Sequence, residues 1–448
     1  DDINRPGQVQ AYFLRSDVAH AEIKSIDTKA AQSAPGVVGV FTGSDIAADK
    51  VGGPICGWVV PCRDGSSTKE PPHPLLAQGK VRFVGDAVAV VVAETMEQAK
   101  SAAELIDVDY NELTPVVDFV NADKGAQIHE EVPNNCYFDW ELGDESATNK
   151  AIESAAKVVK LSVRNNRLVP NAMEPRSALA EYDSLDESYT LHTTSQNPHL
   201  TRLVLAAFMF AIPESKLRVI APDVGGGFGS KIYVYIEEAV CVWASKKIGR
   251  PVKWTADRTQ AFLTDCHGRD HVNDVQLALD ENNKIIGLRV DTVCNLGAYL
   301  SAFSVVVPTI LHGTLLSGQY DIPAIYTNVK GMATNTVNVD AYRGAGRPEA
   351  TYLLERTMET AAKEVGMDPA EFRRINFIPK DAFPYQTQVA LQYDIGDYEP
   401  HLDKAMEMID YSNFEKRRAE AAKRGMYRGI GISVSYTHLR AHETPANL

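Results

Sequence analysis

In the first part of the chain, apolar positions recur in short runs separated by polar turns. Val9 to Phe13 and Ala21 to Ile26 read as strands. Asp27-Thr28-Lys29-Ala30-Ala31 reads as a short helix with Asp27 at its N-cap, and Gly36 to Phe41 as the next strand. Gly52 to Pro74, rich in Gly, Pro and Ser, predicts a long surface loop. Ala87-Val88-Ala89-Val90-Val91-Val92-Ala93 is continuously apolar, as expected of a strand covered on both faces. Thr95 and Gln98 are spaced for a capping box before a helix through Ala99, Ala102, Ala103 and Leu105, and Ile106 to Tyr110 returns as a strand. This predicts a compact α/β domain over residues 1–114, then a linker over 115–147 with little regular structure around Pro133-Asn134-Asn135.

A larger mixed region follows. Lys216 to Ala221 reads as a strand, Gly225 to Ser230 as a glycine loop, and Tyr235 to Ile248 as a helix closed by Gly249 and Pro251. Val275 to Leu279 and Ile285 to Asp291 flank the turn Asp280-Glu281-Asn282-Asn283 and predict a hairpin. Glu349 to Val365 places Ala350, Leu353, Leu354, Met358, Ala361, Ala362 and Val365 on one helical face, with Gly366 as the stop. The fold class is α+β, or mixed α/β, with no repeat of fixed period.

Composition narrows the function classes. The chain has 448 residues, with 45 Lys+Arg against 59 Asp+Glu, a net charge of −14. That sign argues against nucleic acid or an anionic membrane as partner. The longest apolar run, Leu203 to Ile212, stops at Pro213 and falls well short of the roughly 20 residues of a spanning helix. The opening Asp1-Asp2-Ile3-Asn4 shows no signal-peptide pattern and reads like an entry into the middle of a gene product. Six scattered cysteines without a Cys-x-x-Cys pair predict buried thiols in a reducing, cytoplasmic compartment, and neither a zinc ribbon nor an iron–sulfur cluster within this chain.

Three segments carry candidate chemistry. Asp223-Val224-Gly225-Gly226-Gly227-Phe228-Gly229-Ser230-Lys231 lies between a strand and a helix, and its glycines let backbone N–H groups approach a ligand. It matches neither a P-loop, which needs Ser or Thr at Ile232, nor a Rossmann fingerprint, which needs Gly or Ala at Ser230. Ala341-Tyr342-Arg343-Gly344-Ala345-Gly346-Arg347-Pro348 heads the long helix, where Arg343, Arg347 and the helix N-terminus compose an anion site or simply a capped helix with solvated arginines. Thr193 to His199 offers the amide of Gln196 to a ligand, or a plain capping turn. His199 has no second ligand at metal spacing.

Taken in order, these motifs resemble the molybdenum hydroxylases: xanthine dehydrogenases, aldehyde oxidoreductases and aerobic carbon monoxide dehydrogenases. Arg5-Pro6-Gly7, Ala19-His20-Ala21 and Val81-Arg82-Phe83-Val84-Gly85-Asp86 look like the small α/β-hammerhead domain of that family. Met173-Glu174-Pro175-Arg176 and the three motifs look like the first half of its molybdopterin-binding domain, expected over 148–432. Ala341 to Arg347 and Asp381-Ala382-Phe383-Pro384-Tyr385 resemble the form II carbon monoxide dehydrogenase-like large subunits.

The resemblance implies that Gln196 meets the molybdenum oxo group, that Gly227, Phe228 and Gly229 lie beside the cofactor, and that Arg343 with the following Gly344 and Ala345 contacts it. It implies molybdenum on a molybdopterin, in the cytosine dinucleotide form, and no metal ligand from the protein. It also implies a small iron–sulfur subunit and a medium FAD subunit as electron partners, in a dimer of heterotrimers. The implied reaction inserts water-derived oxygen into an aldehyde or N-heteroaromatic carbon. Departures bear on the substrate: carbon monoxide oxidisers carry a cysteine where this chain has Gly344, and purine oxidisers a glutamate at Ile232 and a phenylalanine at Ala345. A carbon monoxide dehydrogenase is the alternative. The family's glutamate base is expected beyond the last residue, so no catalytic residue is assigned here and Glu174 is expected to be a paired structural carboxylate. On that ground an inactive truncated fragment or binding scaffold is the reading from another class. Residues 433–448 do not continue the pattern and are expected to be a non-native tail, a sequencing or assembly artefact.

Overall fold

A computed structural model describes residues 1–433; the expected non-native tail lies outside the described residues from 434 on. Its largest sheet has seven strands in the spatial order 217–220, 188–193, 177–183, 252–255, 9–15, 87–93 and 37–42. The sheet therefore runs without a break from the N-terminal part into the larger one. The join is a short parallel pairing, Val9 with Val252 and Gln10 with Lys253. Burial follows the same continuity, since Val9, Ala11, Phe13, Val90 and Val92 share one core with Ala178, Ala180, Leu191, Trp254 and the helix Ile236–Ile248.

The strand Ala87–Ala93 is buried at every position, as its uninterrupted apolar run predicts. The helix Met96–Ala103 follows with its capping box formed: Gln98 N–H donates to Thr95 Oγ1 (3.2 Å) and Thr95 N–H to Gln98 Oε1 (3.1 Å). It stops before Leu105, which lies exposed. Thr95→Ala is expected to lower stability by about 1 kcal/mol, read as a shift in thermal midpoint; an unchanged midpoint would count against the cap. The N-cap of the first short helix is Thr28 rather than the expected Asp27; the Thr28 side chain makes no cap hydrogen bond, and Asp27, one position earlier, accepts from Lys29 N–H at 3.0 Å.

A second, five-stranded sheet takes strands 136–143, 325–333, 285–297, 271–279 and 157–165 in that order. The expected hairpin is its centre, with Leu277 opposite Leu288. The helix Arg347–Val365 lies on it, packing Leu353, Leu354, Met358, Ala361 and Ala362 against Val159, Leu277, Leu288 and Val290, and Gly366 ends it at φ +69°.

Two expectations fail locally. The segment 115–147 holds a 3₁₀ turn at Phe119–Lys124 and a full edge strand at Cys136–Gly143, paired with Ile325–Ala333. Its turn signal is confined to Asn134 and Asn135, both at positive φ, and adjacent burial of Tyr137 and Phe138 hides the alternation that marks a strand. Gly52 to Pro74 lacks helix or strand but is more than a surface loop, because Cys56, Val60 and Cys62 enter a core with Phe138 and Leu300. The apolar run from Leu203 is helical only in part: Pro198–Leu203 is α-helix and Val204–Met209 a π-helical turn, after which the chain leaves the helix ahead of Pro213. All six cysteines are free thiols. Among the described residues no helix is long and apolar enough to cross a membrane.

Candidate cofactor site

Gln196, the glycine loop and the arginine–glycine turn, far apart in sequence, come together at one place. Gln196 sits just before the helix Pro198–Leu203, and its backbone N–H donates to Lys231 O (2.7 Å). Its side-chain Oε1 accepts from Gly229 N–H (2.9 Å) and Lys231 N–H (3.3 Å), so the carbonyl end is fixed by the loop. The amide nitrogen has no hydrogen-bond partner among the described residues, and the residue is exposed.

The loop in turn is locked onto the second turn. Phe228 O accepts from Arg343 N–H at 2.9 Å, and the Arg343 guanidinium lies 4.5 Å above the Phe228 ring. Phe228 holds φ +55°, a left-handed conformation at a bulky residue. Gly227 is buried and its carbonyl accepts from both Ser230 N–H and Ser230 Oγ. Gly229 has φ +105°, and a Cβ there would lie 2.4 Å from Ala341 O, so only glycine permits the approach of the two turns. Ala345, at φ +34°, donates its N–H to Tyr342 O (2.9 Å). Arg347 turns back on its own turn, with Nη1 at 3.4 Å from Gly344 O, so of the two expected arginines only Arg343 keeps its guanidinium free of hydrogen bonds among the described residues.

Three contacts brace the turns, and the first of them escaped the sequence reading. Arg269 donates to Tyr342 O (2.8 Å) and Arg343 O (3.0 Å) and pairs with Glu349 at 2.9 Å, tying the turn to the long helix. Lys231 Nζ donates to Glu174 O at 2.8 Å and pairs with its carboxylate at 3.3 Å. Gly225 N–H donates to Glu174 Oε2 at 2.6 Å. Burial alone would raise the Glu174 pKa, but the Gly225 N–H and Lys231 outweigh it and hold the carboxylate below its usual range. Glu174 is therefore the paired structural carboxylate that was expected. Local periodicity carries no trace of Arg269, whose partners lie far along the chain; its one signal is a Gly-Arg-Asp turn, with Arg269 and Asp270 both at positive φ.

Behind the loop lies a buried ionic cluster. Arg176 pairs with Asp265 (2.6 Å) and Glu237 (2.8 Å), with its guanidinium 3.5 Å above the Tyr235 ring. Arg15, from the N-terminal strand, reaches the same Glu237 at 2.6 Å. Burial opposes the charge, yet Arg176 and then Arg15 prevail and hold the Glu237 pKa at about 2.

The residues present fit an anionic, oxygen-rich group. The backbone N–H groups of Gly227, Phe228 and Gly344 have no partner among the described residues, and they share the site with the free Gln196 amide and the free Arg343 guanidinium. Among the described residues no cluster of three or more His, Cys, Asp or Glu stands ready to ligate a metal.

Comparisons with known proteins agree. Residues 1–114 match the aldehyde oxidase and xanthine dehydrogenase a/b hammerhead domain, and residues 128–377 the molybdopterin cofactor-binding domain. The carbon monoxide dehydrogenase large chain of Hydrogenophaga pseudoflava is 35% identical over 98% of this chain and 55% of its own. The nicotine 6-hydroxylase large subunit of Paenarthrobacter nicotinovorans is 33% identical over 97% of this chain and 52% of its own. The crystal structure of quinoline 2-oxidoreductase from Pseudomonas putida 86 superposes with a TM-score of 0.88 at 33% identity, over 95% of this chain and 53% of that one. The chain thus spans about half the length of these three relatives. With the ordered motifs, the converging turns and both domain matches in hand, the chain belongs to the molybdenum hydroxylase large-subunit family.

Proposed function

We propose that the chain serves a molybdenum hydroxylase that oxidises an aldehyde or an N-heteroaromatic carbon with oxygen from water. The observation that carries this is the pair of interlocked turns, which fix Gln196 by its carbonyl and leave its amide N–H₂ beside an unpaired Arg343. The names of two relatives, quinoline 2-oxidoreductase and nicotine 6-hydroxylase, favour the N-heteroaromatic option. In this reading the cofactor is molybdopterin in its cytosine dinucleotide form, and electrons leave through an iron–sulfur and an FAD subunit in a dimer of heterotrimers. Six free thiols suit a cytoplasmic setting. Residues 1–114 form the hammerhead domain, and the molybdopterin-binding domain takes in the strand Cys136–Gly143 together with the residues after 148.

When bound, the molybdenum cofactor supplies two-electron redox chemistry and the delivery of a water-derived oxygen. The chain's own residues position it. Gln196 presents two N–H donors at a fixed angle, because its oxygen is already held by Gly229 and Lys231. Arg343 is aligned by stacking on Phe228, so little side-chain entropy is lost when it meets an oxygen-rich anion. The Phe228 ring, 38% exposed, supplies an apolar wall that limits water at the rim.

Carbon monoxide oxidation fits less well. The copper-bridging cysteine of that reaction corresponds to Gly344, at φ +99°, where a Cβ would lie 2.8 Å from the Pro348 ring. Ile232, where purine oxidisers place a glutamate, packs instead against a cluster with Tyr233, Tyr235 and Cys266.

The test is to purify the large subunit in complex with its partner subunits, measure molybdenum, and assay aldehydes and N-heteroaromatics with an artificial acceptor. Gln196→Ala is expected to lower kcat by about 10²-fold, the usual cost of one oriented donor. A complex without molybdenum, or a Gln196→Ala enzyme with unchanged turnover, would overturn the reading.

A further inference from the structure

A cavity of about 40 Å³ lies behind the cofactor loop, with Arg15, His73, Asp86, Tyr233, Glu237 and Asn338 among its walls and neither Gln196 nor Arg343. It sits at the junction of the N-terminal part with the segment that descends from the glycine loop, since Tyr233 follows Lys231 by two positions. Four of its side chains bring a buried polar atom without a hydrogen-bond partner: Arg15 Nε, His73 Nδ1, Tyr233 Oη and Asn338 Oδ1. Tyr233 and Asn338 are 3% and 7% exposed, and the Cys266 thiol beside Tyr233 is at best a weak partner. A buried polar group left unpaired costs about 1–3 kcal/mol, so four of them on residues that line one cavity call for an occupant.

The walls define that occupant. It must accept from Arg15 Nε–H and donate to Asn338 Oδ1, while Tyr233 and His73 serve either way. Burial drops the His73 pKa to about 3, so its imidazole is neutral at physiological pH. The charges of Arg15 and Glu237 are already paired with each other at 2.6 Å, so the walls call for no counter-ion, and a neutral molecule that both donates and accepts answers the four atoms. At about 10–15 Å³ per water on this measure, the space suits about three.

We propose that the cavity is a hydrated joint, in which about three ordered waters bridge Arg15 and His73 of the N-terminal part to Tyr233 and Asn338 of the cofactor-binding part. The waters fasten the lower limb of the glycine loop without direct side-chain contact. The inference does not depend on the proposed reaction.

Crystals of the full chain, alone or in its complex, test it directly. Separate water peaks within hydrogen-bonding distance of these four atoms are expected, and pressurisation with xenon is expected to leave the cavity free of xenon. Xenon bound there would show a dry cavity, and density for an organic molecule would show a different ligand; either overturns the proposal. The variants Tyr233→Phe and Asn338→Leu give an independent sign. If the waters are present, each variant strips them of a partner and lowers the thermal midpoint by about 2 °C. If the cavity is dry, each removes an unsatisfied group, and an unchanged or raised midpoint refutes the joint.

Discussion

Glu237→Ala is expected to be strongly destabilising, costing about 3–5 kcal/mol. Glu237 is 1% exposed and answers two guanidiniums at once, Arg15 from the N-terminal strand and Arg176 from the cofactor-binding part. Removing it leaves Arg15 with only the Gly85 carbonyl, at 3.2 Å, and Arg176 with Asp265 and Thr264. A buried charge left uncompensated is what makes such deletions costly. The exposed pair Arg418–Glu415 serves as control, and Glu415→Ala is expected to shift the midpoint little. A loss at Glu237 no larger than at Glu415 would refute the role assigned to the cluster.

The same residue sets an acid limb. Its folded pKa of about 2 lies below the ordinary 4.5, so its contribution is complete above pH 4.5 and fades as pH falls from there towards 2. Asp86, pushed up to about 6 by burial, acts in the opposite direction: its ionisation costs stability as pH rises from about 4 to 6. Urea midpoints of the wild type and Glu237→Gln between pH 6 and 3 separate the two effects. The variant should lose the part of the acid decline that belongs to Glu237.

Gly229→Ala is expected to have the second large effect, on cofactor retention rather than on global stability. The added Cβ would meet Ala341 O at 2.4 Å and Tyr342 Cα at 3.1 Å, at a φ of +105° that itself disfavours alanine. The opposing turn has no room to yield, because Arg269 holds the carbonyls of Tyr342 and Arg343. The two turns must separate, carrying Gln196 and Arg343 out of register, and the purified complex should lose most of its molybdenum. Gly7→Ala is the control, since φ is +71° there but nothing lies within 4 Å of the new Cβ. Full molybdenum content in Gly229→Ala would show that the turns need not touch.

What the sequence revealed and what it hid divide along the range of the interactions. The Thr95–Gln98 box and the helix ending at Gly366 depend on neighbours a few residues away, and their residue patterns are sufficient; the apolar run of Ala87–Ala93 marks its strand but not the distant strands 9–15 and 37–42 that pair with it. Both glycine-rich turns were visible because glycine is demanded at Gly229 by the approach of the Ala341 backbone and at Gly344 by a φ of +99° beside the Pro348 ring. That both lie beside one cofactor was implied only by family resemblance, and their contact with each other was not read at all. Arg269, which cements that contact, and the pairing of Val9 with Val252 join segments remote in sequence, and no local period records them. The inward turn of the segment 52–74 was misread for a related reason: a polar, proline-rich composition describes the average of a loop, and of the side chains this one sends inward only the thiols of Cys56 and Cys62 were expected to be buried, not Val60.

The Val9–Val252 join bears on how such subunits are recombined. An N-terminal segment exchanged between two relatives would not arrive as a finished module docking through its surface. It would bring three of seven strands, and the recipient would have to accept them along an exposed backbone edge at the residues that meet Val9 and Gln10. A graft compatible in loops and surface charge but shifted by one residue at that seam would turn Val9, Ala11 and Phe13 away from the core they share with Trp254. For this chain, strand registry at a two-residue splice therefore matters to such an exchange alongside the boundary drawn near residue 114.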